Sequence, residues 1–438
     1  MNGRFVVFSI ILTIFLSSFV LFKTPFEGYV TYFFMLLFFP YYIAKYGVPA
    51  LPVAIFTPLL ISGLVYIQTK DNVDQLFIKI FLGFFSSVLF YRYVLQSFNY
   101  DVPRLFGYYM KGAVIVSAIG LVQIASYQVG FTPGYDYSWL LNKWGLSPGG
   151  FGIRLNSILS EPAQFSAVVA PAFFVSVYNV FFRKTFFTSR RNSIIVIIAY
   201  SLTFSTLGIL GMALTAILLV INFGFFRYAL VVGPILYFGL TYAYENIDEF
   251  KVRFDGVVNT FSDDGADSEK MRTYTDVHGS SFVLYNNYVI ATENFKRNPL
   301  FGTGLGSHPI AFERFSLTRQ ARVLQVDFNK ADANSMFLRL MSETGLYGLL
   351  VIFFIVFRNF VFKRTSQNEV NWIISSSTLL IILIYLMRQG HYFLNGLPFF
   401  IWLYYYTRKS NDAMRMATPE EAVQLTAKDS DTKELATI

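Results

Sequence analysis

Runs of about twenty apolar residues recur along most of this chain, and they constrain its fold more than any other feature. A bilayer core about 30 Å thick is crossed by about 20 residues of α-helix. Only 14% of the 438 residues are charged, against about 25% in soluble domains. Because backbone groups in lipid must bond one another, and the runs do not alternate like barrel strands, we expect an all-α polytopic membrane protein.

Twelve segments are predicted to be transmembrane helices. They are residues 4–22, 28–46, 49–67, 76–95, 107–129, 158–182, 192–206, 208–226, 228–244, 343–362, 371–388 and 391–406. The first is too long for a signal-peptide core, so we expect it to be retained. The segment 192–226 is interpreted as two short helices, broken near Ser205–Gly208, because two spans fit the orientation better than one.

Basic residues in the short connections predict the orientation. They are Arg183, Lys184, Arg190, Arg191, Arg227, Lys363, Arg364, Arg408 and Lys409. With twelve spans all of them fall on one side, which the positive-inside rule makes cytoplasmic. Both termini are then cytoplasmic, and the turn 388–391 faces outward. The formal charge of +8 sits mostly at span ends, so it does not indicate a nucleic-acid partner.

The chain is therefore predicted to divide into four regions. These are residues 1–244 with spans one to nine and an outer loop at 130–157, a large extracytoplasmic loop at 245–335, residues 336–409 with spans ten to twelve, and a cytoplasmic tail at 410–438. The large loop holds most of the acidic residues outside the tail, and 280–296 has the apolar spacing of an amphipathic helix. A membrane protein that keeps one large outer loop is expected to use it for chemistry or recognition.

Several kinds of chemistry have no sequence signature. The chain has no cysteine, which excludes thiol catalysis and cysteine metal sites. Its three histidines are scattered, no metal-binding spacing is present, and no P-loop occurs. We therefore expect no metal or other cofactor.

Three of the arginines predicted on the outer side, against the positive-inside bias, are candidates for a binding site. Arg154 precedes the sixth span, Arg272 lies in the large loop, and Arg388 lies at the outer end of the eleventh span. The planar guanidinium suits bidentate phosphate binding, so together they predict a pyrophosphate site. Each could instead be a snorkelling or ion-paired interfacial residue.

Glu161 begins the sixth span and is followed by Pro162. Carboxylates in membrane segments are costly and commonly functional, so Glu161 is the first candidate for a catalytic base. The alternative is structural, because a carboxylate near a helix N-terminus gains from the helix dipole and proline suits the first turn. Glu161 could also pair with Arg154.

The motif RNPLFGTGLGS spans residues 297–307. Its glycines permit positive φ and close backbone approach, so Arg297 and Gly304 are candidate substrate-binding residues, although a tight structural turn explains the glycines equally well. His308, which follows the motif, is the second candidate for a proton-transfer residue.

A second motif, ADANSMFLRLMSETGLYGLL, starts the helix that re-enters the membrane. Asn334 is a candidate substrate-binding residue, and the structural alternative is a helix N-cap. Glu343 could be an interfacial anchor rather than a catalyst.

Together these features resemble the O-antigen ligase/polymerase superfamily, the Wzy- and WaaL-like membrane glycosyltransferases. The resemblance is carried by Arg154 before a span, TFSTLGILGMALT at 203–215, ENFKRNPLFGTGLGS with Arg272 upstream, and ANSMFLRLMSETGLYGLL. It covers about residues 150–410, and the first five spans only by hydropathy.

The resemblance implies a GT-C-like fold and a metal-independent glycosyltransferase in the bacterial cytoplasmic (inner) membrane. The implied reaction moves a glycan from undecaprenyl pyrophosphate onto a lipid-linked repeat unit at the outer face, in the synthesis of O-antigen, capsule or exopolysaccharide. Implied partners are the lipid-linked donor and acceptor, membrane lipid, and a chain-length regulator.

One position departs from the family pattern. Ligases of the superfamily have a histidine before the Asn of the last motif, and Ala333 stands there. This favours a polysaccharide polymerase over a ligase and leaves the base open. A ligase-type transferase and a lipid-linked oligosaccharide flippase or transporter remain the alternatives; against a transporter, no internal repeat is evident.

Overall fold

The computed structural model describes residues 3–22, 27–49, 53–223, 279–320, 329–363 and 365–416, with isolated positions between 233 and 327. Arg272 and most of the predicted ninth span lie outside the described residues. So do most of the large loop before Gly279 and the tail after Met416.

The N-terminal half is a series of helices with one short hairpin. Its elements are α1 Gly3–Phe15, β1 Val20–Phe22, β2 Gly28–Tyr29, α2 Val30–Tyr46, α3 Val53–Gln68, α4 Asp74–Ser97, α5 Val102–Gln128, α6 Thr132–Tyr135, α7 Pro162–Phe181, α8 Arg190–Ser201 and α9 Thr206–Phe223. The two strands are antiparallel, with Val20 opposite Tyr29.

The C-terminal half is also helical. Its elements are α10 Gly279–Arg297, α11 His308–Phe315, α12 Leu317–Gln320, α13 Met336–Asn359, α14 Glu369–Arg388, a 3-10 turn Leu394–Gly396 and α15 Leu397–Met416. Helix α10 coincides with the predicted amphipathic helix at 280–296.

Five of these helices, α4, α5, α7, α13 and α14, are long and apolar enough to cross a membrane. Shorter apolar helices occur at Phe5–Phe15, Val53–Gln68 and Thr206–Asn222. The prediction of a mostly helical membrane protein is therefore confirmed. The count of twelve spans stays a prediction.

The first predicted span differs from the structure, because α1 ends at Phe15 and the next residues leave the helix. Ser18 Oγ donates to the Ile158 carbonyl. The Val20 backbone N–H donates to Asn142 Oδ1 at 2.9 Å, and the Asn142 amide donates back to the Val20 carbonyl at 2.7 Å. These bonds to the loop after α5 replace the helical bonds that a longer α1 would have made.

The predicted break within 192–226 is confirmed as two helices, α8 and α9, separated at 202–205. Hydroxyl groups satisfy the groups exposed by the break. Ser166 Oγ of α7 lies 2.6 Å from Ser205 Oγ and 3.1 Å from Thr203 Oγ1, and Ser205 Oγ accepts a bond from the Gly208 N–H at 2.9 Å.

Helices α7 and α14 form the centre of the fold, and they run antiparallel. Most of α14 is buried. At one end of the pair, the Tyr178 hydroxyl of α7 donates to the carboxylate of Glu369 at the start of α14. At the other end, Glu161 before α7 lies within electrostatic range of His391 after α14. The loop that carries Arg154 and the 388–391 turn therefore share one end of the bundle.

The glycine motif packs against a break in α13. Gly345 has φ +59 inside this helix, and the motif supplies backbone bonds there: the Leu346 N–H donates to Pro299 O at 2.8 Å, and the Gly304 N–H donates to Glu343 O at 2.8 Å. A Cβ on Gly302 would lie 2.4 Å from the Glu343 carbonyl carbon. Glycine is therefore required here by backbone packing.

We predict that Gly302→Ala lowers the melting temperature of the purified protein much more than Gly130→Ala. Both glycines have positive φ, +58 and +71, but only Gly302 has backbone within 3 Å of its ideal Cβ, while Gly130 has nothing within 4 Å. Gly130→Ala, the control, is therefore destabilised only by the strain of the left-handed backbone conformation, about 1–2 kcal/mol. Equal losses in the two variants would contradict the packing described here.

Candidate active site

The loop between Arg154 and Glu161 is fixed to α5 by buried amide groups. Gln123 Oε1 accepts bonds from the backbone N–H groups of Asn156 and Ser157 at 3.2 and 2.8 Å. The Asn156 side-chain amide then donates to the Leu159 carbonyl at 3.0 Å. Because buried polar groups are costly to leave unpaired, these bonds hold the loop in one conformation at the end of the bundle.

Glu161 occupies the N-cap position of α7, but its side chain makes no capping hydrogen bond. Its side chain is exposed. Burial among surrounding protein groups nevertheless raises its pKa, and the charge of Asp332 raises it further, while Arg154, His391 and Lys143 oppose these effects.

Asp332 and His391 form a pair beside Glu161. His391 Nε2 lies 3.1 Å from Asp332 Oδ2. The other carboxylate oxygen accepts bonds from the Asn329 side-chain amide at 3.0 Å and the Asn334 backbone N–H at 3.1 Å. Burial acts to raise the pKa of Asp332, but the hydrogen bond and charge of His391, together with these amides, hold it well below its usual range. Asp332 is therefore ionised.

Gly390 allows the turn that carries His391 to approach Asp332. A Cβ at this position would lie 1.5 Å from the Asp332 carbonyl oxygen, a distance that no side chain can accommodate. The residue type at 390 thus decides whether His391 reaches its partner.

Lys143 adds a cation to this end of the bundle. Its Nζ donates to Glu27 Oε2 and to the Tyr29 hydroxyl, both at 2.6 Å, and its charge acts on Glu161. Arg388 lies three residues before His391, at the end of α14. The Arg388 Nε is buried and, within the described part of the chain, has no hydrogen-bond partner.

His308, the second predicted base, lies in the interior. Its ring Nε2 is 3.0 Å from Asn287 Oδ1, and the Asn287 amide nitrogen is used in a bond to Val283 O at 2.8 Å, so Nε2 carries the proton. Burial, with help from Arg339, lowers the pKa of His308 to about 3. A neutral and fully buried imidazole favours a structural role.

Two of the predicted binding residues, Gly304 and Arg297, have structural contacts of their own. The ideal Cβ of Gly304 would lie 2.8 Å from the Gly63 Cα of α3, which accounts for this glycine by packing. Arg297 is exposed, and its guanidinium lies 4.6 Å from the Phe315 ring centroid. Their assignment to substrate binding remains a prediction, as does that of Arg272 outside the described residues.

Two predictions about α13 are wrong. The N-cap is Ser335, whose Oγ accepts a bond from the Leu338 N–H at 3.3 Å, while Asn334 has φ +54 and precedes the cap. Glu343 is fully buried and is no interfacial anchor. Its carboxylate accepts bonds from Arg339 Nε and the Tyr392 hydroxyl, each at 3.0 Å, so the charge is neutralised inside the protein.

The sequence contains a signal for one of the two pairs that were not predicted from it, the pair of Arg339 and Glu343. Arg339 and Glu343 are four residues apart on a helix, a spacing that brings opposite charges together. No comparable signal linked His391 to Asp332, because these residues are distant in sequence. They come together where the start of α13 contacts the end of α14, as in the bond from Ser335 Oγ to the Leu386 carbonyl at 2.7 Å.

Comparison with known proteins does not extend this assignment: no family model matches the chain, and no curated protein matches it. The resemblance to the O-antigen ligase/polymerase superfamily therefore depends on the four motifs alone.

The chemistry available to this cluster is that of a base beside anion-binding cations. Glu161 carries a raised pKa, and Arg154, Lys143 and His391 lie within electrostatic range of it. Within the residues that the structure describes, no three His, Asp or Glu side chains are grouped to hold a metal ion. We call Lys143, Arg154, Glu161, Asp332 and His391 the polar cluster.

We predict that Glu161→Gln flattens the dependence of the melting temperature on pH. A carboxyl whose folded pKa is raised binds protons more tightly when folded, so its contribution to stability falls as pH rises from the unfolded value, about 4.3, through the folded value. Glutamine does not titrate, so the variant does not lose stability in this pH range. The melting temperature of Glu161→Gln relative to wild type should therefore rise as the pH increases from the unfolded to the folded pKa of Glu161.

The matched control for this measurement is Glu293→Gln on the surface of α10. It removes the same charge from an ion pair in which Glu293 Oε1 lies 2.7 Å from Lys296 Nζ. Identical pH dependence in wild type and Glu161→Gln would contradict the raised pKa.

Proposed function

We propose that this protein is a polysaccharide polymerase of the bacterial cytoplasmic membrane. It transfers a glycan from polyprenyl pyrophosphate onto a sugar hydroxyl of a lipid-linked repeat unit at the outer face. The observation that carries the proposal is the polar cluster, where a carboxyl with raised pKa lies within electrostatic range of several cations at one end of the bundle. The order of the sequence motifs supports the same reaction.

In the proposed reaction the acceptor hydroxyl oxygen attacks C1 of the donor sugar. A new C1–O bond forms while the bond from C1 to the pyrophosphate oxygen breaks, and its electron pair leaves with the polyprenyl pyrophosphate. The hydroxyl proton passes to the Glu161 carboxylate. Arg154 and Lys143 stabilise the negative charge that develops on the leaving group, because cations placed where charge develops act most strongly in the transition state.

The two carboxylates of the cluster suit different tasks. The pKa of Asp332 is lowered and that of Glu161 is raised. In enzyme active sites, two carboxyl groups with different pKa values commonly have different roles in acid–base catalysis. Glu161 accepts a proton more readily than an ordinary carboxylate, whereas Asp332 stays ionised and holds His391 through its Nε2.

Arg388 contributes to binding in this proposal. It lies at the end of the bundle that carries the polar cluster, and its buried Nε has no hydrogen-bond partner among the described residues. A guanidinium N–H in this state is suited to a phosphate oxygen.

We predict that Glu161→Gln lowers polymerisation about 10²–10⁴-fold, the usual contribution of a general base. Arg154→Gln should lower it about 10²–10³-fold, as expected for loss of one group that stabilises developing charge. The measurement is chain growth by purified protein in vesicles that contain lipid-linked repeat units.

Arg190→Gln is the control for these variants, because it removes a cation from the opposite end of the bundle. If both cluster variants polymerise at the rate of the control, the assignment of the active site is wrong. Transfer to a different acceptor, without chain growth, would instead indicate a ligase.

We predict that two substitutions move the acid limb of the pH–rate profile in opposite directions. The negative charge of Asp332 raises the pKa of Glu161, and the positive charge of His391 lowers it. Asp332→Asn should therefore shift the limb to lower pH, and His391→Gln to higher pH. A limb that stays fixed in both variants would show that Glu161 is not the titrating base.

A further inference from the structure

A cavity of about 220 Å³ lies at the end of the bundle opposite the polar cluster. It is formed by the start of α1, the end of α2, the end of α4 and the start of α5. Helix α5 establishes the separation: Arg104 near its start lines the cavity, whereas Gln128 at its end donates to the Phe151 carbonyl at 2.7 Å, in the loop that leads to Arg154.

Two cations line this cavity. Lys45 Nζ lies 4.9 Å from the ring centroid of Tyr46, and the Arg104 guanidinium carbon lies 5.5 Å from that of Phe98. The Arg104 Nε donates to the Tyr108 hydroxyl at 3.1 Å, which leaves the two terminal nitrogens for other partners.

Among the described residues, no acid neutralises these cations. None of the described residues that line the cavity carries a carboxylate, and neither Lys45 nor Arg104 forms an ion pair with a described residue. Asp101 is near in sequence, but its carboxylate accepts a bond from the Arg104 backbone N–H at 3.0 Å, as a helix cap. The cavity is therefore selective for an anion.

The size of the cavity limits what it can hold. Pockets for drug-sized ligands occupy about 300–1,000 Å³, so a cavity of about 220 Å³ suits a group of the size of a lipid headgroup. Ser97 and Asn99 in its wall offer hydrogen bonds to hydroxyl groups.

The surface of α2 next to the cavity is apolar and exposed. Its exposed side chains include Phe33, Leu36, Leu37 and Ile43. In a membrane this surface contacts acyl chains, so an amphiphile with its phosphate in the cavity can lay its chains along α2. A free anion would gain nothing from this surface.

We propose that the cavity binds the phosphate headgroup of an anionic glycerophospholipid, in the membrane leaflet opposite the polar cluster. The binding is independent of the reaction proposed above. Lys45 and Arg104 contact the phosphate, and Ser97 and Asn99 contact the headgroup hydroxyls.

The test measures lipid binding to the purified full-length protein by native mass spectrometry and by thermal shift. The probes are phosphatidylglycerol, phosphatidylcholine and inorganic phosphate. Phosphatidylglycerol should bind and raise the melting temperature more than the other two. The double variant Lys45→Gln/Arg104→Gln should bind phosphatidylglycerol about thirtyfold more weakly, since each cation near a membrane surface contributes about 1 kcal/mol.

The matched control is Arg190→Gln/Arg191→Gln, which removes the same charge at the same end of the bundle but outside the cavity. It should retain wild-type affinity. The melting temperature without lipid shows whether each variant is folded. If both double variants bind phosphatidylglycerol equally weakly, general surface charge explains the binding and the proposed site is wrong. If inorganic phosphate or phosphatidylcholine raises the melting temperature as much as phosphatidylglycerol does, the assignment to an anionic glycerophospholipid is wrong.

Discussion

A buried ion pair holds the candidate active site together. Arg339 and Glu343 of α13 are both buried and lie 3.0 Å apart. Arg339 Nη1 also donates to the Gly390 carbonyl at 2.9 Å, and the Glu343 carboxylate accepts a bond from the Tyr392 hydroxyl. The pair therefore ties the start of α13 to the turn that carries His391, and so sets the distance between His391 and Asp332. Removing one partner of such a pair commonly costs about 3–5 kcal/mol.

The glycine motif also holds α13 in place, because it supplies backbone hydrogen bonds where this helix is broken at Gly345. Residues that look catalytic in sequence thus divide into two groups. Gly304 and His308 belong to the packing that orients α13, while Glu161 and Arg154 belong to the polar cluster. The two ends of the bundle also differ in chemistry: the polar cluster mixes carboxylates and cations, whereas the described residues that line the cavity at the other end include cations and no carboxylate.

The helical class and the break at Ser205 could be predicted from the sequence, because hydropathy is a local property, whereas the catalytic roles given to Glu161 and Arg154 stay predictions. The end of α1 could not be predicted, since it depends on Asn142 and Ile158 far along the chain. The Asp332–His391 pair was missed for the same reason. Ala333 drew attention to a missing histidine, whereas His391, from a different segment, lies against the adjacent Asp332.

The measurement that tests the proposed polymerase most directly is deletion of the gene in its native organism, followed by electrophoresis of the surface glycan. If the protein is the polymerase, the ladder of long chains collapses to single repeat units, and plasmid-borne wild-type protein restores it. An unchanged ladder would show that the protein is not the polymerase. So would the loss of all attached glycan, including single units, because that outcome belongs to a ligase.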